Sequence, residues 1–158
     1  MSIEAARNYL HQWGRDKDII ELEASTATVS EAAEALKVVP ARIAKSISLK
    51  QGDKAVVAVI AGDMKLDNRK YKERFGIKAK MLTPEEALHS TGHGAGGICP
   101  FGLPTGVEVY LDVSLQRFDT VFPACGSGNS AIELSPDELN TYSRNKAWVD
   151  LCKPVAEP

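Results

Sequence analysis

The sequence is short of cysteine, of long apolar runs and of net charge, and each shortage removes a class of protein. Its three cysteines, Cys99, Cys125 and Cys152, are odd in number and scattered, with no CxxC pair. That pattern excludes a disulfide framework and argues against a zinc cluster, leaving free thiols. The longest apolar stretch, residues 55–61, is far shorter than the roughly twenty residues a membrane helix needs. The opening Met1, Ser2, Ile3 and Glu4 carry no basic and apolar leader, so the expected location is the cytoplasm. A formal net charge of −2 does not suit a protein that coats nucleic acid, where affinity comes from neutralising many phosphates. Repeats, low-complexity tracts and long linkers are also missing. What remains is 158 residues, 44% hydrophobic and 25% charged. This is expected to form a single domain, 1–158, able to bury its own core.

The charge is unevenly spread. Between residues 65 and 80 lie seven bases (Lys65, Arg69, Lys70, Lys72, Arg74, Lys78 and Lys80) against two acids, Asp67 and Glu73, so this stretch carries +5 and the rest −7. A solvated helix face explains such a run; so does a docking patch for an RNA backbone.

Periodicity and capping residues outline the elements. Ile3, Ala6, Tyr9, Leu10 and Trp13 recur at helical spacing, predicting a first helix that ends near Gly14. A short strand is expected at 19–22. Thr28 with Glu31 reads as a capping box opening a second helix through about Lys37, and Pro40 suits the first position of a turn. Residues 45–49 and 55–61 read as a hairpin across Gly52 and Asp53, its second strand fully buried. Asp67 is a cap for a helix over 68–75 with Gly76 as its stop, and 78–81 fits a strand. Thr83, Pro84 and Glu86 open another helix ending near Ser90. Strands are expected at 107–111, 120–124 and 131–134, the last two joined across Gly126, Ser127, Gly128 and Asn129. Ser135, Pro136 and Glu138 cap a final helix. Interspersed helices with hairpin-connected strands imply an α+β fold, a curved mixed and partly closed sheet flanked by helices.

The least regular stretch, 91–105, holds five glycines and two prolines. Gly92, Gly94 and Gly97 satisfy GxGxxG, but the motif follows a helix and Pro100 falls where a dinucleotide-binding helix would begin. No Lys-Ser/Thr follows, so it is no phosphate loop. His89, His93 and Cys99 suit zinc by type, without a fourth ligand at convincing spacing. Cys99 reads either as a thiol nucleophile, which needs a base the sequence does not identify, or as a small buried residue. A backbone role remains: glycines let successive N–H groups converge on an oxyanion or carbonyl, although a plain surface connection fits the spacing equally well.

Ile43, Ala44, Lys45, Ser46 and Ile47 leading into a hairpin, Ser90 to His93, Gly96 to Gly102, Leu111 and Asp112, Phe118, Val121 to Gly126, and Ile132 to Leu134 occur here in one order. Together they resemble the YbaK and prolyl-tRNA-synthetase-associated domain family. The resemblance covers most of the chain. It implies the α+β fold above and hydrolysis, in trans, of the ester of a mischarged aminoacyl-tRNA, most often a proline tRNA. It places catalysis on Lys45 and on the Gly-x-x-x-Pro loop formed by Gly96, Gly97, Ile98, Cys99 and Pro100. The same loop supplies backbone N–H groups for the oxyanion. Thr28, His93, Asp112, Gly126, Ser127 and Gly128 are the expected substrate contacts, and Lys65, Arg69, Lys70, Lys72 and Arg74 the expected tRNA contacts. Neither a cofactor nor a metal is implied. The expected partners are the 3′ acceptor end of aminoacyl-tRNA and prolyl-tRNA synthetase, with the protein a monomer or weak homodimer and no membrane involved. Thr28 stands where the cysteine-removing branch carries an aromatic residue, and Ala131 where it carries an acid, so cysteine specificity is not implied. A non-catalytic module that binds aminoacyl-tRNA or an amino acid is the alternative.

Overall fold

In the computed structural model, which describes residues 2–155, the elements run in chain order. They are α1 (Ser2–His11), β1 (Ile20–Glu21), α2 (Val29–Leu36), β2 (Ile43–Gln51), β3 (Lys54–Ala61), β4 (Met64–Leu66), α3 (Asn68–Phe75), α4 (Pro84–Thr91), β5 (Glu108–Asp112), β6 (Phe122–Pro123), β7 (Ser130–Ala131), α5 (Pro136–Tyr142), β8 (Ala147–Val149) and β9 (Cys152–Pro154). The central sheet has the order β6-β2-β3-β5-β8. Only β2 and β3 are antiparallel, paired from Ala44 opposite Ala61 to Gln51 opposite Lys54; the other neighbours are parallel. The expected α+β fold with a curved mixed sheet is the fold observed.

The sheet is covered on both faces, which is why β3 reads as an uninterrupted apolar run rather than an alternation. Val57, Val59 and Ala61 pack with Ala6 and Leu10 of α1 and Leu139 of α5. Val56, Ala58 and Ile60 pack on the opposite face with Tyr71 and Phe75 of α3. A third cluster sets Ala32 and Ala33 of α2 against Ile43 and Phe122, at the β6 end of the sheet. Among the described residues no helix is long and apolar enough to cross a membrane.

Most caps act as expected. Asp67 accepts from the N–H groups of Arg69 and Lys70, and α3 stops at Gly76 with φ 77°. Thr83 and Ser135 make full reciprocal boxes with Glu86 and Glu138. Thr28 accepts from the Glu31 N–H, but the Glu31 carboxylate takes the Thr28 hydroxyl instead of reaching back to the backbone. The strand expected at 78–81 shrinks to one bridge, Met81 with Leu49. The strands expected at 120–124 and 131–134 meet through single bridges, Val121 with Leu134 and Ala124 with Ala131. They do not pair as one hairpin: β6 joins β2, and β7 joins β1.

Candidate active site

Three loops converge at the β6 end of the sheet, held together by the lack of Cβ atoms. A Cβ on Gly97 would sit 2.6 Å from the Gly126 carbonyl carbon and 2.7 Å from the Ser127 nitrogen, and one on Gly96 2.9 Å from the Ala27 Cβ. The Thr26 N–H donates to the Gly128 carbonyl at 2.7 Å, stitching the segment before α2 to the 126–129 turn. In front of this junction opens a cavity of about 410 Å³, within the usual size range of small-molecule sites. Its walls are largely apolar (Val29, Ala32, Ile43, Ile47, Ile98, Phe122, Ala124 and Ala131), with polar points at Thr26, Thr28, Lys45, Ser46 and Ser130.

Lys45 lines the cavity. It lies on the α3 face of β2, since its partner in β3 is Ile60, and its ammonium donates to the Met64 carbonyl across 3.4 Å. Burial pushes its pKa below the ordinary lysine range. That bond is long and uses one of three donors, so the cation is available to an anionic or carbonyl ligand. Thr26 is buried, and its hydroxyl and that of Ser46 lack a partner among the described residues. Ser130 donates to or accepts from Ser127 at 2.7 Å.

Of the Gly-x-x-x-Pro loop, Gly96 and Ile98 line the cavity, whereas Gly97, Cys99 and Pro100 are buried behind it. The Gly97 N–H closes a turn on the Gly94 carbonyl at 3.0 Å, which corrects the expectation that this amide serves an oxyanion. The Cys99 thiol is fully buried, 3.5 Å from His93 Nε2, and burial pushes its pKa up to about 12. A thiol this reluctant to ionise is no nucleophile near neutral pH, so the buried reading of Cys99 holds.

Other expected contacts lie elsewhere. His93 is wholly buried, with Nε2 2.7 Å from the Phe101 carbonyl. That geometry requires Nε2 to donate, so the ring pins the 93–101 loop closed and does not meet a ligand. Burial lowers its pKa, keeping it neutral. Asp112 accepts from the N–H groups of Ser114 at 2.9 Å and Leu151 at 2.7 Å, tying the end of β5 to the strand-like C-terminal segment. Gly126, Ser127 and Gly128 back the cavity without lining it. Thr28 lines it while capping α2.

The basic segment lies outside the cavity. Lys65, Arg69, Lys70, Lys72 and Arg74 do not line the cavity. Arg69 pairs with Glu73, and Lys70 bonds Asp150 and the Cys152 carbonyl. The Arg74 guanidinium lies over the rings of Phe75 and Tyr110. Beside the cavity residue Met81, by contrast, stand exposed Lys80 and, hydrogen-bonded to its carbonyl through the backbone, exposed Lys50. Sequence reading did not single out Lys50, Thr26 or Met81, and named Ser46 only as part of the Ile43 to Ile47 motif. One signal was available for Ser46: a small hydroxyl on the core-facing side of a strand, between Ala44 and Ser48, leaves room where a larger residue would pack.

Comparison with known proteins agrees with this fold. Residues 23–142 match the model of the aminoacyl-tRNA editing domain. A Bacillus subtilis protein, uncharacterized protein YwhH, is 55% identical over 154 residues, covering 97% of this chain and 98% of its own. The proline–tRNA ligase of Kosmotoga olearia is 34% identical over 90 residues, 56% of this chain but 16% of the ligase. A crystal structure described as that of a candidate trans-editing enzyme for prolyl tRNA synthetase superposes with a TM-score of 0.86 at 29% identity, over 96% of this chain and 97% of that one. The chain therefore belongs to the aminoacyl-tRNA editing domain family.

Proposed function

We propose that this protein hydrolyses the ester linking a small, wrong amino acid to the 3′ end of a tRNA, acting in trans on proline tRNA. The observation that carries the reading is the cavity itself. It pairs a half-buried lysine, with no acidic partner among the described residues, with walls of Ala32, Ala44, Ala124 and Ala131 and a loop whose Gly96 and Gly97 are packed too tightly to carry a Cβ. With Ile43, Ile47, Ile98 and Phe122 limiting the space that the alanines leave, the site admits a small side chain and works as a second sieve against the bulkier correct one. An aminoacyl ester is already activated, so holding its carbonyl and stabilising the developing oxyanion suffices. In the step, a water oxygen bonds to the carbonyl carbon and the bond from that carbon to the ribose oxygen breaks. The ribose oxygen takes up a proton, and the amino acid leaves as its carboxylate.

Lys45 is placed to bind the carbonyl oxygen or the terminal phosphate as a point charge. Exposed Lys50 and Lys80, joined through the backbone beside the cavity residue Met81, are the cations we assign to the acceptor backbone. The related segments of proline–tRNA ligases support prolyl-tRNA synthetase as the partner whose errors are cleared. The test is a panel of tRNA esters of alanine, serine, cysteine, threonine and proline, incubated with wild type and Lys45→Ala. Loss of at least one small-residue ester above the uncatalysed rate, sparing proline and abolished by Lys45→Ala, is expected. Tight binding without any turnover would instead mark a binding module.

A further inference from the structure

The outer edge of β2 has a gap one residue long, and it opens into the cavity. In an antiparallel pair, backbone groups alternate between facing the partner and facing away. Lys50 N–H donates to the Lys80 carbonyl at 2.8 Å, and Leu82 N–H donates to the Ser48 carbonyl at 3.1 Å, so Ser48 and Lys50 face away from β3. Ala44 and Ser46 follow the same phase. Ala44 is paired with Pro123, but Ser46 has, among the described residues, only its β3 neighbour, Val59. The chain physics on either side explains the gap. Past Pro123, Ala124 turns to bridge Ala131. Beyond Leu82, the residue placed to donate to the Ser46 carbonyl is Pro84, which has no N–H.

Ser46 thus offers one donor and one acceptor within a cavity lined by Lys45, Ser46 and Ile47. An extended peptide cannot use them, because Phe122 and Pro123 occupy one side of the gap and Met81 and Leu82 the other. A guest of a single residue can. An aminoacyl ester has that form: an amino group and a carbonyl on one α-carbon, the spacing of one residue in a strand.

We propose that Ser46 receives the aminoacyl group as a one-residue strand, its carbonyl accepting from the α-amino group and its N–H donating to the ester carbonyl oxygen. This rests on the deacylase reading above and names how that site holds its substrate. It supplies the carbonyl donor that the Gly97 amide, committed to Gly94, cannot provide. Cross-strand neighbours share a face, so an L side chain points with the Ser46 side chain, opposite to Lys45. A D side chain points the other way, and the extra methylene of β-alanine breaks the spacing of donor and acceptor.

Two measurements test this. In ¹⁵N-labelled protein the Ser46 amide is expected to exchange quickly with solvent, unlike Ile47, which faces β3. Saturating 3′-deoxy-3′-(L-alanylamino)adenosine, the hydrolysis-resistant amide analogue, should slow that exchange about tenfold or more. In parallel, the β-alanyl ester of the same tRNA should be hydrolysed about 10²-fold more slowly than the L-alanyl ester, the scale of one lost oxyanion donor. A Ser46 amide that the analogue leaves unchanged, or equal rates for the two esters, overturns the inference while leaving deacylation standing. Failure to hydrolyse any ester in the panel overturns the deacylase reading and this inference with it.

Discussion

Replacing Gly97 by alanine isolates the part of the site that depends on backbone packing alone. Gly97 does not have a left-handed φ, so the methyl group brings no conformational strain, only contact. That contact is severe: 2.6 Å to the Gly126 carbonyl carbon and 2.7 Å to its oxygen and to the Ser127 nitrogen. All three are backbone atoms, and no side chain can rotate away. The two loops must part by about 0.8 Å to regain ordinary contact at 3.4 Å. Overpacking of this kind costs about 1–3 kcal/mol, which for a domain of this size lowers Tm by roughly 2–12 °C. Because Gly96 and Ile98 carry the cavity wall on this loop, a shift approaching 1 Å should also slow deacylation by about 10²-fold. Gly94→Ala is the control, since nothing lies within 4 Å of its added methyl and its φ is not left-handed; it should change stability by less than about 0.5 kcal/mol. Calorimetry and single-turnover deacylation at 25 °C read both effects. Wild-type Tm and rate in Gly97→Ala would refute the argument that the convergence of these loops shapes the site.

Burial lowers the Lys45 pKa, so the enzyme-catalysed rate, after subtracting spontaneous hydrolysis, should fall with rising pH earlier than an exposed lysine would dictate. Between that lowered value and the 10.5 of an ordinary lysine the unfolded chain holds more of the proton, so this group makes stability rise with pH. Lys45→Met should remove that slope in urea titrations across the window. Iodoacetamide should leave turnover intact, because Cys99, Cys125 and Cys152 are all buried, and Cys99→Ala should keep activity while costing about 1–2 kcal/mol of stability. Lys50→Ala and Lys80→Ala should each weaken tRNA binding and reduce the salt slope by about 0.7 for every phosphate left without its lysine. Lys70→Ala, which breaks bonds to Asp150 and Cys152, should instead register in Tm.

Much of the framework was legible because its signals are local. The caps at Asp67, Thr83 and Ser135 are chemistry within four residues, and the apolar run of β3 announces a strand covered on both sides. What stayed hidden depends on distant partners. β4 pairs with β9, Leu66 with Cys152, and neither segment has an alternation of its own. The strand expected at 78–81 fails because only one bridge to β2 forms before Pro84. In the site, Lys45 and the Gly96 loop were legible as motifs, but side-chain direction was not. His93 turns inward to Phe101, and Asp112 is consumed by Ser114 and Leu151. Charge density in a sequence likewise does not reveal which cations are already paired, as Arg69 is with Glu73 and Lys70 with Asp150.

The polar groups that line the cavity constrain how an ester can be cleaved there. Thr28 is committed to the α2 cap and Ser130 to Ser127; Thr26 and Ser46 have free hydroxyls but, among the described residues, no base beside them to take a proton. Lys45 is a cation unless its lowered pKa is exceeded. A hydroxyl without a base is a poor nucleophile, so the proton lost by attacking water must pass to solvent or, relayed through the free ribose hydroxyl, to the departing ribose oxygen. On the proposed deacylase reading, the protein's share of catalysis reduces to orientation and charge stabilisation. Those are the two tasks that a packed glycine junction, an open strand edge and a single ammonium can perform. On that reading selectivity follows from the same sparse set of parts, because a site without a committed nucleophile would cleave only what its walls hold in register.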